Sequence, residues 1–278
     1  FMHMPKTAGT SMLHALREAL TPRVEFWAFD RSLFGGFAAF ETMRPEIRRT
    51  IIESPDELPD HAEFVSGHMA LSTTKSRYPS AQFITFLREP ATRLLSHWVY
   101  WRSLSDEQLA PWGAGWAAIL RQSRSPLRDF LAAESAACQT DNLAVRMLLW
   151  PHPLIPDDDF IDERNDAILV QAARERLKSF SLVDAVENPR LAANMGDWLN
   201  RPFQLHRLNE TRNVPAPHRT SLSAELDQGT IALLRLRSRL DFALWSMVAG
   251  RAIRDFDPVS TQTELLAGSI QRYSHLVS

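Results

Sequence analysis

A lysine, a glycine and three hydroxyl side chains stand close together at the start of the chain, in His3-Met4-Pro5-Lys6-Thr7-Ala8-Gly9-Thr10-Ser11. Residues of these types hold oxyanions. Lysine brings a mobile positive charge and glycine lets backbone approach a ligand. A helix N-terminus adds N–H groups and the positive end of its dipole. The nucleotide-triphosphate loop runs G-x-x-x-x-G-K-S/T, and this segment, with its lysine ahead of its one glycine, cannot be aligned to that order. An anion other than a triphosphate is implied. A second group with suitable chemistry is Arg88, followed eight positions later by Ser96. Arginine offers a planar fork to phosphate, and a serine about two helical turns further on can join it on the same anion.

Both groups need elements to hold them. Phe1 to Met4 is apolar enough to end a buried strand. Met12, Leu13, Leu16 and Leu20 fall on one face of a helix, with Thr10 and Ser11 as the oxygens expected to cap it. Phe83 to Leu87 is a short apolar run, as in a strand buried on both faces, and Pro90 suits the first position of the helix that follows. Arg88 therefore sits at the carboxyl end of a strand, where ligands of open α/β sheets collect. Further strands are expected at Val24 to Phe29, at Glu63 to Val65 just ahead of Ser66-Gly67-His68, and at Phe180 to Val183. Helices are expected at Pro45 to Ser54, from Pro90 through Arg102, near Pro126 to Ala137, up to about Lys178, and from Asn188 to Leu199. Such alternation of strands and helices builds a parallel sheet. The Trp/Gly stretch around Trp112 to Trp116 reads as a lid, and Trp27, Trp112 and Trp116 as rings that could stack on an acceptor. Proline-rich 150–157 reads as a connector within one domain spanning residues 1–278, and 221–256 as a C-terminal helical part.

Taken together, Pro5-Lys6-Thr7-Ala8-Gly9-Thr10-Ser11 resembles the 5′-phosphosulfate loop of sulfotransferases. Leu87-Arg88-Glu89-Pro90 with Ser96 resembles their 3′-phosphate motif. The resemblance is to the carbohydrate group that includes heparan sulfate and uronyl 2-O-sulfotransferases and their bacterial relatives. It implies an α/β, P-loop-like three-layer fold with a central parallel sheet flanked by helices, and 3′-phosphoadenosine 5′-phosphosulfate (PAPS) as co-substrate. Lys6, Thr7, Ala8, Gly9, Thr10, Ser11, Arg88 and Ser96 would hold that donor. Ser66-Gly67-His68 resembles the family's Gly-His motif. Asp141-Asn142-Leu143-Ala144-Val145-Arg146 resembles an Asn-x-Gln-Thr-Arg stretch, departing from it at Ala144 and Val145. Asn209 and Arg212 correspond to a loop that approaches the nucleotide, although the residues alone read as a solvated turn.

The chemistry so implied is in-line transfer of a sulfuryl group to a hydroxyl, expected on a carbohydrate, in an enzyme of the sulfotransferase class. Positioning and charge stabilisation dominate such a transfer. Lys6 would neutralise the bridging oxygen as it leaves. An attacking hydroxyl must lose a proton, and histidine, with an ordinary pKa of ~6.5, suits that task. His68 matches the histidine that serves in the 2-O-sulfotransferases. Asp30 is the rival, because related enzymes place a carboxylate soon after the first helix. His3, His14, His61 and His97 lack metal-ligand spacing, and no metal is expected. Two alternatives belong to other classes: a nucleotide or small-molecule kinase with an irregular loop, and a non-catalytic glycan-binding relative.

Composition narrows the partners. Lysine and arginine total 31 against 33 acidic residues, a formal charge of −2, so no global basic field points to nucleic acid. A single cysteine, Cys138, allows no internal disulfide and fits a reducing compartment. No run approaches the ~18 apolar residues of a membrane span, so no membrane segment is expected in the chain. The compartment expected is the bacterial cytoplasm, with the Golgi lumen as the alternative if an anchor precedes Phe1.

Overall fold

The computed structural model describes residues 1–206 and 213–277. Its centre is a parallel sheet. β1 (Glu25–Asp30) lies between β2 (Ile51–Ile52) and β3 (Phe64–His68), while β4 (Ile84–Leu87) pairs with β5 (Leu182–Ala185). The N-terminal segment joins the two groups. Met2 bridges Gly67 on one side and Thr85 on the other; its N–H donates to the Ile84 carbonyl at 3.0 Å, and the His3 N–H donates to the Gly67 carbonyl at 2.9 Å. The order across the sheet is thus β2, β1, β3, the N-terminal segment, β4, β5, parallel throughout.

Helices of seven or more residues are α1 (Gly9–Leu20), α2 (Leu71–Arg77), α3 (Pro90–Arg102), α4 (Gly113–Arg121) and α5 (Leu143–Leu149). They continue as α6 (Asp166–Leu177), α7 (Leu191–Leu199), α8 (Gln228–Arg237), α9 (Arg239–Ala252) and α10 (Pro258–Val277). The helical spacing of Met12 and Leu16 buries them against Phe64, Ile84 and Phe86, together with Leu191 and Met195 of α7. Alternate residues of β4 serve the other face. Phe83 and Leu87 join the main apolar cluster with Leu94, Leu95 and Trp98 of α3 and Trp245 of α9. The result is the expected mixed α/β fold, a parallel sheet between helical layers. The main cluster draws on residues from Met2 to Val277.

Three local expectations change. Pro45 to Ser54 is not one helix: a four-residue turn of helix, Pro45–Arg48, gives way to β2. Ile51 and Ile52 are β-branched and apolar, and both are buried in register with Phe29 and Asp30. The strand expected at Phe180 to Val183 forms two residues later as β5, since the Ser181 N–H bonds the Phe83 carbonyl ahead of the ladder. Residues 126–137 break into Leu127–Ala132 and a tighter turn, Glu134–Ala136. Helix α10, which the sequence reading did not anticipate, packs on α3.

Candidate active site

The carboxyl ends of β1, β3, β4 and β5 and of the N-terminal segment surround one cavity of about 1040 Å³. Pro5, Lys6, Ala8, Gly9, Thr10 and Ser11 form part of its wall. Lys6 and Ala8 adopt the left-handed backbone conformation, with φ of 66° and 58°. Non-glycine residues seldom do so, and alternation of this kind folds a loop into a concavity that suits anions. Ala8 caps α1 without any side-chain bond. Thr10 and Ser11 are therefore not the caps anticipated but first-turn residues whose position faces the cavity.

Two loop residues serve the fold in ways the sequence reading did not foresee. The Thr7 hydroxyl donates to the Met4 carbonyl at 2.8 Å, and the side chain is buried outside the cavity wall. Its part in anion binding could only be through backbone. A Cβ on Gly9 would lie 1.5 Å from Nε2 of His3. The glycine is required because an imidazole occupies that space.

Arg88 follows β4 and reaches back to the loop, donating from Nη1 to the Lys6 carbonyl at 3.1 Å. It does not pair with its neighbour Glu89. That carboxylate caps α3, accepting from the N–H groups of Ala91 at 3.0 Å and Thr92 at 2.7 Å, and accepts the Gln262 amide of α10 at 2.7 Å. Among the described residues no carboxylate lies within ion-pair distance of Arg88. Tyr273 arrives from α10 and lines the same cavity as Arg88 and Ser96, the latter buried on α3. Burial alone would raise the Tyr273 phenol; the Arg88 charge, with the nearby Ser96 hydroxyl, outweighs it and leaves the phenol below its ordinary value. The Lys6 ammonium lies 4.1 Å above the centre of the Tyr100 ring. Burial lowers Lys6 to about 8; Tyr273 opposes the shift, and the nearby Arg88 charge, a smaller effect than that of Tyr273, adds to it.

His68 ends β3, and its placement depends on Gly67. With φ of 150°, Gly67 sits where a Cβ would come within 2.1 Å of the Ala28 carbonyl oxygen. Close strand approach explains the glycine of the Gly-His pair. Nδ1 of His68 lies 2.7 Å from the His3 carbonyl. A carbonyl only accepts, so Nδ1 carries the proton, and Nε2 holds the lone pair on a ring that lines the cavity. Burial lowers His68 to about 4, with Lys6 adding to the effect and the His3 carbonyl opposing it. The ring is therefore neutral at pH 7.

Asp30, the rival base, is buried and outside the cavity wall. Its oxygens accept from the N–H groups of Ser32 at 2.9 Å and Ala70 at 3.0 Å, fixing a turn and the start of α2. Asn142 and Arg146 are likewise structural. Arg146 binds Asp141 at 3.0 Å and the carbonyls of Pro156 and Asp159, and Asn142 accepts the Leu240 N–H. Asn209 and Arg212 lie outside the described residues. Trp112 and Trp116 line the cavity whereas Trp27 does not. The stretch expected as a lid is a short turn, Ala110–Trp112, followed by helix α4.

The sequence reading missed Tyr273 and His97. His97 is buried on α3, lines the cavity, and has no hydrogen-bond partner for either ring nitrogen among the described residues. Its adjacency to Ser96 was the one signal available. Among the described residues no three His, Cys, Asp or Glu side chains come together as a metal site, and no helix is long and apolar enough to cross a membrane.

No family model, curated protein or solved structure matches the chain.

Proposed function

We propose that the protein is a sulfotransferase that moves a sulfuryl group from PAPS to an acceptor hydroxyl, with His68 as general base. One observation carries this reading: two cationic groups built on different elements, suited to anions, line a single cavity with a neutral histidine. The Lys6 loop is one group, and Arg88 with Ser96 and Tyr273 is the other. A nucleotide with phosphate on both its 3′ and 5′ positions asks for two such groups. A triphosphate chain asks for one continuous cradle.

The donor supplies a sulfuryl group attached to a good leaving phosphate. The protein's residues supply the rest. The loop backbone and the N-terminal end of α1 meet the 5′-phosphate. The Lys6 ammonium would meet the negative charge that develops on departure. Arg88 donates one N–H to the Lys6 carbonyl and keeps other N–H groups for the 3′-phosphate. His68 Nε2 receives the acceptor's proton.

The reading is tested by calorimetric titration with adenosine 3′,5′-bisphosphate. Saturable binding at one site is expected, weakening as salt is raised. Silence from the folded protein, with magnesium-dependent ATP binding in its place, would overturn the proposal in favour of a kinase.

A further inference from the structure

The part of the cavity away from the phosphate-holding groups is aromatic. The Phe29 ring lies 5.4 Å from that of His68, centre to centre. Trp112 and Phe34 lie 5.6 and 6.5 Å from Phe29, and Trp116 lies 4.7 Å from Phe34. A continuous apolar wall thus leads from the proposed base. The charged side chains of the lining, apart from histidines, are Lys6, Arg88, Glu187, Glu264 and Arg272. They come from the loop, the ends of β4 and β5, and α10, and none comes from the aromatic segments. The uncharged polar groups there are few. Gln139 donates its amide to the Leu33 carbonyl, Gln108 lies on a short exposed helix, and His97, packed 4.3 Å from Trp101, is buried with both nitrogens unpartnered among the described residues.

This chemistry selects against a glycan. A sugar ring can stack on tryptophan, but each hydroxyl it buries without a partner loses about 1–3 kcal/mol. A polyanionic glycan would need basic residues at this end as well, and the lining offers none. The cavity, about 1040 Å³, lies at the large end of the ~300–1,000 Å³ range of small-molecule sites.

We infer that the acceptor is an apolar ring compound bearing a hydroxyl, a phenol or ring alcohol, lying against Phe29, Trp112 and Trp116 with its oxygen toward His68. This inference rests on the sulfotransferase reading and replaces the carbohydrate acceptor that the sequence resemblance implied. In the step, a bond forms between the acceptor oxygen and sulfur as the bond from sulfur to the 5′-phosphate oxygen breaks. The electron pair stays on that phosphate oxygen beside Lys6, and the hydroxyl proton passes to Nε2 of His68. The products are the sulfate ester and adenosine 3′,5′-bisphosphate. His97 is the buried donor or acceptor available to a second polar atom of the ring compound.

The test uses the full chain with radiolabelled PAPS and two acceptors, 2-naphthol and an unsulfated heparan oligosaccharide. Calorimetry of 2-naphthol is run in parallel on protein saturated with adenosine 3′,5′-bisphosphate. Binding and sulfation of 2-naphthol are expected, with no transfer to the oligosaccharide. Trp112→Ala should raise the KM for 2-naphthol about tenfold, and Trp112→Phe should recover most of the loss. Retained nucleotide binding shows that each variant is folded. Transfer to the oligosaccharide but not to 2-naphthol would overturn the inference and leave the sulfotransferase reading standing. So would failure of 2-naphthol to bind a protein that binds the nucleotide. Failure of the nucleotide itself to bind would instead overturn the parent reading.

Discussion

The two groups proposed to hold phosphate in the cavity are built in opposite ways. The loop is local: Lys6, the left-handed Ala8 and the first turn of α1 lie within a few consecutive residues, and much of what they present is backbone. The Arg88 group is assembled from side chains of three elements, the end of β4, α3 and α10, with Tyr273 arriving from the far end of the chain. Backbone geometry of the first kind is held by the strand and helix it joins. Side-chain geometry of the second kind exists only when the whole fold closes. The first group should therefore govern turnover through one mobile charge, and the second should govern affinity.

Replacing Lys6 is the sharpest way to break that distinction. Lys6→Ala should lower kcat for sulfuryl transfer about 10³-fold while changing nucleotide affinity far less, because the cation acts on charge that develops only in the transition state. Single-turnover transfer compared with calorimetry separates the two, and an equal loss in both would make Lys6 a simple binder. The same lysine sets a pH limb. Lys6 must be protonated, and that form is lost as pH rises through about 8; His68 must be neutral, and that form is lost as pH falls through about 4. A kcat/KM profile with limbs at those values is expected. Bound phosphate favours the ammonium, so the alkaline limb of kcat should lie higher. An acid limb at the ordinary ~6.5 of histidine would remove buried His68 from the role of base.

The second group should respond in affinity. Arg88→Ala is expected to weaken adenosine 3′,5′-bisphosphate binding about 100-fold, the worth of a charge-assisted contact to phosphate. Tyr273→Phe deletes one hydroxyl that lines the cavity with Arg88 and Ser96, and should weaken binding about tenfold. Tighter binding by the phenylalanine variant would show instead that Tyr273 competes with the phosphate for these residues.

The same contrast explains what could be read before the structure. Strand, loop and helix around Lys6 follow from apolar spacing within twenty residues, and Arg88 at a strand end follows from an apolar run and a proline. Tyr273 had no such signal. Its neighbours show the periodicity of any amphipathic helix, and only the packing of α10 on α3 brings it to Ser96. Residue types also carried purposes that sequence could not separate. Gly9 was expected to admit a phosphate and is required by the His3 ring. Thr10 and Ser11 were expected to cap α1, yet a left-handed Ala8 begins it. Asp30 looked available as a base until its two oxygens proved committed to backbone. For Gly9 and Asp30 a group brought near by the fold had already claimed the space or the side chain.

Thr7 gives the smallest expected effect and the most exacting test of the comparison. If the loop acts through backbone and Lys6, the Thr7 hydroxyl contributes nothing to the donor, because it is buried and spent on the Met4 carbonyl at 2.8 Å. Thr7→Val keeps the shape and removes that bond, leaving a buried carbonyl one partner short. The loss should be about 1 kcal/mol of stability. For a chain of this size that lowers Tm by roughly 2–4 °C in a calorimetric scan. Adenosine 3′,5′-bisphosphate affinity should stay within about twofold, well under the 1.4 kcal/mol of a tenfold change. A tenfold loss of affinity without a change in Tm would mean that the hydroxyl leaves Met4 for the phosphate. The loop would then be a side-chain device like the Arg88 group, and the two regions would no longer differ in kind.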